Sequence, residues 1–345
     1  MFQSFLQAGF ECASIVWPRG PLKGRRQDMH EGTGHVGAAV RGHYEMLKSL
    51  GIYTIRSGLP WHKILLPGRW EEEPIHRAFR VAAEAEVEVI WDLVHFGFPI
   101  GVSPFDPFFP ELLAEFGRRI ATISKEYGQR LWVCPVNEPS ITAHFCGQVG
   151  QWSPGVRRRG YELKRKLARA QIATITSIRK ARPDARFLYC DPFEGGRWQF
   201  EAVDLLTGRA SAGSIGGSRE FIDVVGINHY PHFKGPQIAR CIANVAQHLS
   251  CPIVLSETSH HDGHPAHHHE SKGAWLRYVL DQCEQAARGG HGVNGVCWYP
   301  VIDSPAWNGR KGDFWSHGLF RIDGTMDSSL SDAIVQNNRN LATAA

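Results

Sequence analysis

Short apolar runs bounded by turn residues alternate along this chain with longer stretches in which apolar positions recur every third or fourth residue. The first pattern belongs to strands covered on both faces and the second to amphipathic helices, so their alternation predicts a parallel sheet wrapped by helices. Eight strands are predicted, at about 8–14, 52–57, 87–94, 131–137, 186–191, 222–228, 252–257 and 293–299. Helices are predicted near 35–50, 72–86, 108–127, 160–182, 197–207, 235–249 and 270–288.

The strand segments Val87–Trp91 and Pro252–Leu255 are almost wholly apolar, as burial on both faces requires, with Glu88 the exception. Within 108–127, Leu112, Leu113, Phe116 and Ile120 fall on one helical stripe. No composition break or Pro/Gly/Ser linker divides the chain, and eight strand–helix units use it to about residue 300. These features predict one α/β domain, a single (β/α)8 TIM barrel spanning 1–345.

Composition changes this picture little. The chain is 43% hydrophobic and 21% charged, values ordinary for a globular fold with a large core. Net charge is +4, and the basic runs Arg157–Arg159 and Lys164–Lys166 lack interleaved aromatics, which argues for a solvated helix start and against a nucleic-acid partner. Eight cysteines show no CxxC pair. Cys134, Cys190 and Cys297 lie in apolar strand runs, where a free thiol acts as a small hydrophobe, and this usage favours a reducing compartment. With no basic-then-apolar leader and no run of 18 apolar residues, the expectation is a cytoplasmic protein with no membrane partner.

Barrels of this kind place chemistry at the C-terminal ends of their strands, so polar residues that end apolar strands are the candidates. They are Glu11, Arg56, Asp92, His95, Asn137, Glu138, Asp191, Asn228, His229, Tyr230 and Glu257, with Trp298 at strand 8. A lone carboxylate there is as readily a helix cap or an ion-pair partner. Two glutamates on strands 4 and 7, facing one mouth, instead match glycosidic-bond chemistry, which needs one acid for the leaving oxygen and one carboxylate at the anomeric carbon. Asn137 can donate to a sugar hydroxyl, and Arg56 and Tyr230 can donate to Glu257 and stabilise its charge. Glu138 is expected to stay protonated through burial and the neighbouring negative charge. Trp298 is expected to offer a platform for the apolar face of a sugar ring, with Trp152, Trp198, Trp307 and Trp315 near post-strand loops.

The segments WVCPVNEPS (132–140) and IVLSETS (253–259) resemble the acid/base and nucleophile motifs of the clan A glycosidases, barrel hydrolases with glutamates on strands 4 and 7. WDLVHFGFP (91–99), VGINHYP (225–231) and YTIRSGLPW (53–61) resemble further motifs of glycoside hydrolase family 1. The resemblance covers essentially the whole chain and marks a divergent, family 1-like branch. It departs from the family pattern after strand 1, where Phe10-Glu11-Cys12 replaces a Gln motif, and after strand 8, where Ala306-Trp307 replaces a Glu-Trp pair.

The resemblance implies a retaining exo-β-glycosidase of β-glucosidase or β-galactosidase type, with Glu257 as nucleophile and Glu138 as acid/base. It also implies that His95 binds the glycone, that Tyr230 and Arg56 contact the nucleophile, and that the substrate is a small-molecule or oligosaccharide β-glycoside. No cofactor or metal is implied. A transglycosidase and a catalytically silent carbohydrate-binding barrel are the alternatives, and glycone identity and oligomeric state stay open. Glu11 and Asp303 are readable as ligands for glycone hydroxyls or as structural ion-pair partners. The histidine-rich loop His260, His261, His264, His267, His268 and His269 fits no defined zinc spacing and reads as a solvated or substrate-lining loop. Arg310 and Lys311 form no recognisable phosphate site, which favours a neutral glycoside.

Overall fold

The computed structural model describes residues 2–344 apart from 197, 211–214, 233–236 and 267, with side chains as far as residue 339. Eight parallel strands close into a barrel: β1 (Leu6–Gly9), β2 (Thr54–Gly58), β3 (Glu88–Asp92), β4 (Trp132–Cys134), β5 (Arg186–Asp191), β6 (Val224–Asn228), β7 (Ile253–Thr258) and β8 (Val293–Trp298). Each strand pairs with its sequence neighbours, and β8 meets β1 through Leu6↔Val296 and Ala8↔Trp298. The longer helices between and after them are α1 (Ala39–Ser49), α2 (Glu73–Glu84), α3 (Phe109–Ser124), α4 (Gly160–Ala181), α5 (Glu201–Thr207), α6 (Ile238–Leu249), α7 (Lys272–Arg288) and α8 (Ser328–Ala344). The chain is thus a (β/α)8 barrel, and no helix among the described residues is long and apolar enough to cross a membrane.

Several elements differ from the sequence expectation; α1 starts four residues late, at Ala39, and β4 ends three residues early, at Cys134. β1 ends at Gly9, and Glu11 therefore lies in a turn that leads to an antiparallel hairpin, Ser14–Val16 with Arg26–Asp28. α5 starts four residues late, at Glu201; the expected start at 197 and the positions 235 and 236 of the sixth expected helix lie outside the described residues. α8 was not foreseen, because its buried positions Leu330, Ala333 and Ile334 are few and set among Ser and Asn, residues of weak helix propensity.

Alternate side chains of the strands serve two cores. Leu6, Ile55, Val89, Val133, Ile227, Leu255 and Val296 join the large core shared with the helices. Ile90, Trp132, Cys134, Leu188, Cys190, Val224 and Val254 form a second cluster inside the barrel, with Phe2 packed on it 4.6 Å from the Trp132 ring. On α3 the predicted stripe faces inward: Leu113, Phe116 and Ile120 are buried and Leu112 is half-buried against the same core. Glu88 sits at the N-terminal end of β3, where it accepts hydrogen bonds from Gln3 N (3.0 Å), Thr54 Oγ1 (3.1 Å) and Trp132 Nε1 (3.1 Å).

Candidate active site

At the opposite, C-terminal end of the strands lies a cavity of about 570 Å³. Glu11, His95, Glu138, Tyr230 and Glu257 line it, while Phe96, Phe145, Trp152 and Trp307 form an aromatic wall on its outer part. Its volume falls in the roughly 300–1,000 Å³ range of small-molecule sites.

Beneath the cavity, the side chain of Arg56 in the middle of β2 organises four strands. Its guanidinium is 1% exposed and pairs bidentately with Asp92, through Nε to Oδ1 (3.1 Å) and Nη2 to Oδ2 (2.9 Å). Nη1 donates to Glu257 Oε1 at 2.7 Å, and Nη2 donates to Asn137 Oδ1 at 2.6 Å. Because Asn137 spends its oxygen on Arg56, it turns its amide nitrogen to His95 Nε2, 2.9 Å away. His95 then holds its proton on Nδ1, facing Asp92 Oδ2 at 3.1 Å. Burial opposes a second proton on His95, but the Asp92 hydrogen bond and the charges of Glu11, Asp92 and Glu257 outweigh it and raise the imidazole pKa.

Glu257 reaches the cavity through an irregularity. Along β7, Val254 points into the barrel and Leu255 toward the helices, so strict alternation would send Glu257 outward with Leu255. The pairing with β6 instead shifts from Ile227↔Leu255 to Asn228↔Glu257, and this extra residue re-aims the side chain. Gly226 on β6 makes room, since a Cβ there would stand 2.2 Å from Ser256 Oγ. Glu257 is 4% exposed, and its second oxygen accepts from Tyr230 Oη at 2.8 Å.

Glu138 follows β4 with φ 42° and ψ 69°, a left-handed conformation that costs a non-glycine residue on the order of 1–3 kcal/mol. It is held there by its own N–H to Cys190 O (3.2 Å) and by the short helix Pro139–Ala143 that begins after it. Its Oε1 accepts from Asn228 Nδ2 at 2.9 Å. Burial first, then the negative charge of Glu257, pushes the Glu138 carboxyl well above the usual carboxylate range, against the lowering effect of Asn228. Asp191, at the end of β5, supports this segment by accepting from Ser140 Oγ (2.8 Å) and Tyr189 Oη (2.7 Å), and burial pushes it up to about 6.

Of the predicted site residues, Glu11, His95, Tyr230 and both glutamates line the cavity, and Arg56, Asn137 and Asn228 act on them from below. Trp298 does neither. It is 3% exposed, packs in the large core shared with the helices, and gives its indole N–H to His317 O at 3.0 Å. The expectation of a sugar platform there is not met: strand alternation turns Trp298 toward the helices and Tyr299 inward, where it too is buried. The Tyr299 ring stacks on His95 (6.0 Å between centroids, 8° between planes) and lies under the Arg56 guanidinium, 5.5 Å away. Trp152, Trp307 and Trp315 line the cavity, whereas Trp198 is exposed and does not.

Glu11 accepts from Ala13 N (3.0 Å) and Tyr299 Oη (3.4 Å) and lies 3.7 Å from His95 Nε2; burial raises its pKa. Asp303 stands apart from the cavity and accepts from Gly318 N at 2.8 Å. Arg310 and Lys311 are exposed. Of the histidine-rich loop, His261 and His264 line the cavity beside His232, while His267 lies outside the described residues. Lys272, 1% exposed at the start of α7, ties this loop down: it donates to Gly318 O (2.9 Å) and faces Asp327 (3.5 Å), Asp262 (3.7 Å) and Asp303 (4.0 Å).

No protein-family model matches the chain, and no curated protein does. Solved structures do. A family 1 β-glucosidase from Thermotoga maritima superposes with TM-score 0.73 at 14% identity, covering 98% of each chain. The β-glucosidase from Thermotoga maritima in complex with glucoimidazole gives 0.71 at 13%, again over 98% of both chains. The same enzyme in complex with cyclophellitol gives 0.71 at 15%, over 99% of this chain and 97% of that one. The likeness shows that this chain has the barrel fold of a family 1 β-glucosidase.

Proposed function

We propose that the chain, residues 1–345 acting as one catalytic domain, is a retaining exo-β-glycosidase. The observation that carries this reading is the unequal treatment of two carboxyls around one cavity. Glu257 receives short hydrogen bonds from Arg56 and Tyr230, which suits an anionic nucleophile. Glu138 is kept protonated by burial and by the charge of Glu257, which suits a general acid. In this mechanism Glu257 attacks the anomeric carbon as Glu138 protonates the departing oxygen; Glu138 then takes a proton from water, which releases the sugar. Glu11 and His95, at the deep end, bind glycone hydroxyls, and the aromatic wall contacts the aglycone. The ligands of the similar β-glucosidase support a sugar-sized occupant for a cavity of this shape. The eight unpaired cysteines fit a reducing, cytoplasmic setting.

Chemical rescue tests the reading. Glu257→Ala loses turnover of aryl β-glycosides by on the order of 10⁴-fold or more, and azide restores it with formation of a glycosyl azide of inverted configuration. A first product of inverted configuration from the unaltered protein, followed by NMR, overturns double displacement.

A further inference from the structure

Among the described residues, a set of three metal donors does not gather in the histidine-rich loop after β7. It gathers under the deep end of the cavity instead. Cys12 Sγ lies 3.1 Å from His95 Nδ1 and 3.7 Å from Asp92 Oδ2, and His95 Nδ1 lies 3.1 Å from Asp92 Oδ2. β2 leaves the thiol its place by ending in Gly58, where a Cβ would stand 2.7 Å from the sulfur. A small void of about 20 Å³ adjoins the three side chains, and one water needs roughly 10–15 Å³ measured this way. His30 lines the same void, and its Nε2 is buried without a hydrogen-bond partner among the described residues.

We propose that Cys12, Asp92 and His95 form a binding site for a thiophilic divalent cation, zinc above all. Thiolate, imidazole and carboxylate together are zinc donors, whereas calcium and magnesium call for oxygen alone. The spacing fits as well. Zinc bonds of roughly 2.3 Å to sulfur and 2.0–2.1 Å to nitrogen and oxygen set tetrahedral ligand atoms roughly 3.3–3.6 Å apart, close to the 3.1, 3.1 and 3.7 Å found here. Binding releases one proton, from the Cys12 thiol, while the imidazole proton passes from Nδ1 to Nε2. That proton on Nε2 then meets the Asn137 amide N–H groups, so the occupied site drives Asn137 off His95 and inhibits catalysis. The inhibition rests on the glycosidase reading; the metal site does not.

Metal binding is therefore measured directly on the intact chain. Zinc titration is expected to show a site of about one ion per chain with release of about one proton, and cobalt in its place a thiolate-to-metal charge-transfer band. Cys12→Ser is expected to weaken that site at least tenfold and to abolish the band, with the melting temperature checked separately. Cobalt binding to the unaltered chain without the charge-transfer band overturns the proposal whatever the variant does. So does zinc affinity unchanged by Cys12→Ser and lost on replacing His260, His261 and His264 by Gln. Zinc that binds by these criteria yet leaves glycoside turnover unchanged removes the inhibitory role alone.

Discussion

β3 buries a carboxylate at each end of the barrel, and the two are treated differently. At the bottom, Glu88 (7% exposed) accepts from three neutral donors above the Phe2–Trp132 contact, and the barrel is closed there. At the top, Asp92 (1% exposed) shares a single permanently charged cation, Arg56, with Glu257, and Glu11, Glu138 and Asp191 are further acids buried at this end. A carboxylate satisfied by neutral donors stabilises the fold in one arrangement. So many acids beside one guanidinium are costly to ionise together, and burial raises the pKa values of Glu138 and Glu11. The bottom is a structural closure, and the top gathers carboxyls of unequal acidity.

Substitutions that remove one member from either end sharpen this contrast. The largest effect is expected for Glu138→Gln, which slows hydrolysis of glycosides with poor leaving groups by roughly 10²–10⁴-fold. Since the proposed mechanism requires Glu138 protonated and its pKa is raised, turnover by the unaltered protein is expected to fall as pH rises through that raised value. The variant lacks this basic limb, and a pH–rate profile that keeps it assigns the limb to another group. Next is Arg56→Met, which strands Asp92 and Glu257 as buried charges; a loss of roughly 3–5 kcal/mol is expected in denaturant unfolding, together with loss of activity. Glu88→Gln turns an amide toward donors at the bottom and is expected to cost about 1–3 kcal/mol of stability. Its kcat and pH profile stay as they were, and a shifted profile would break the division between the two ends. The smallest effect is expected for Trp307→Ala, which raises KM for aryl glycosides by the equivalent of about 0.5–1.5 kcal/mol and leaves stability unchanged.

The top of the barrel was legible in the sequence as far as residue type and strand order reach. Glu138, Glu257, Arg56 and Tyr230 each follow or end an apolar run, and the closed barrel brings such ends together whatever the details of pairing. Side-chain direction is another matter. The choice of Trp298 over Tyr299 depends on which face each residue occupies, and a one-residue uncertainty in a strand end reverses it. Glu257 points into the cavity only because β6 and β7 slip by one residue, a property of two paired strands that neither segment states alone. Cys12 passes in the sequence for one more buried thiol. Its position against His95 comes from a turn after β1 that the alternation of apolar runs, extended to residue 14, had covered with strand.

Lys272 makes the loops after β7 and β8 a single unit for anyone who would graft them. Its buried amine is shared among Asp262 in the first loop, Asp303 and Gly318 in the second, and Asp327 at the entry to α8. Exchanging either loop alone for a foreign one leaves a cation enclosed with part of its counter-charge gone. The transplantable cassette therefore runs from the end of β7 to the start of α8.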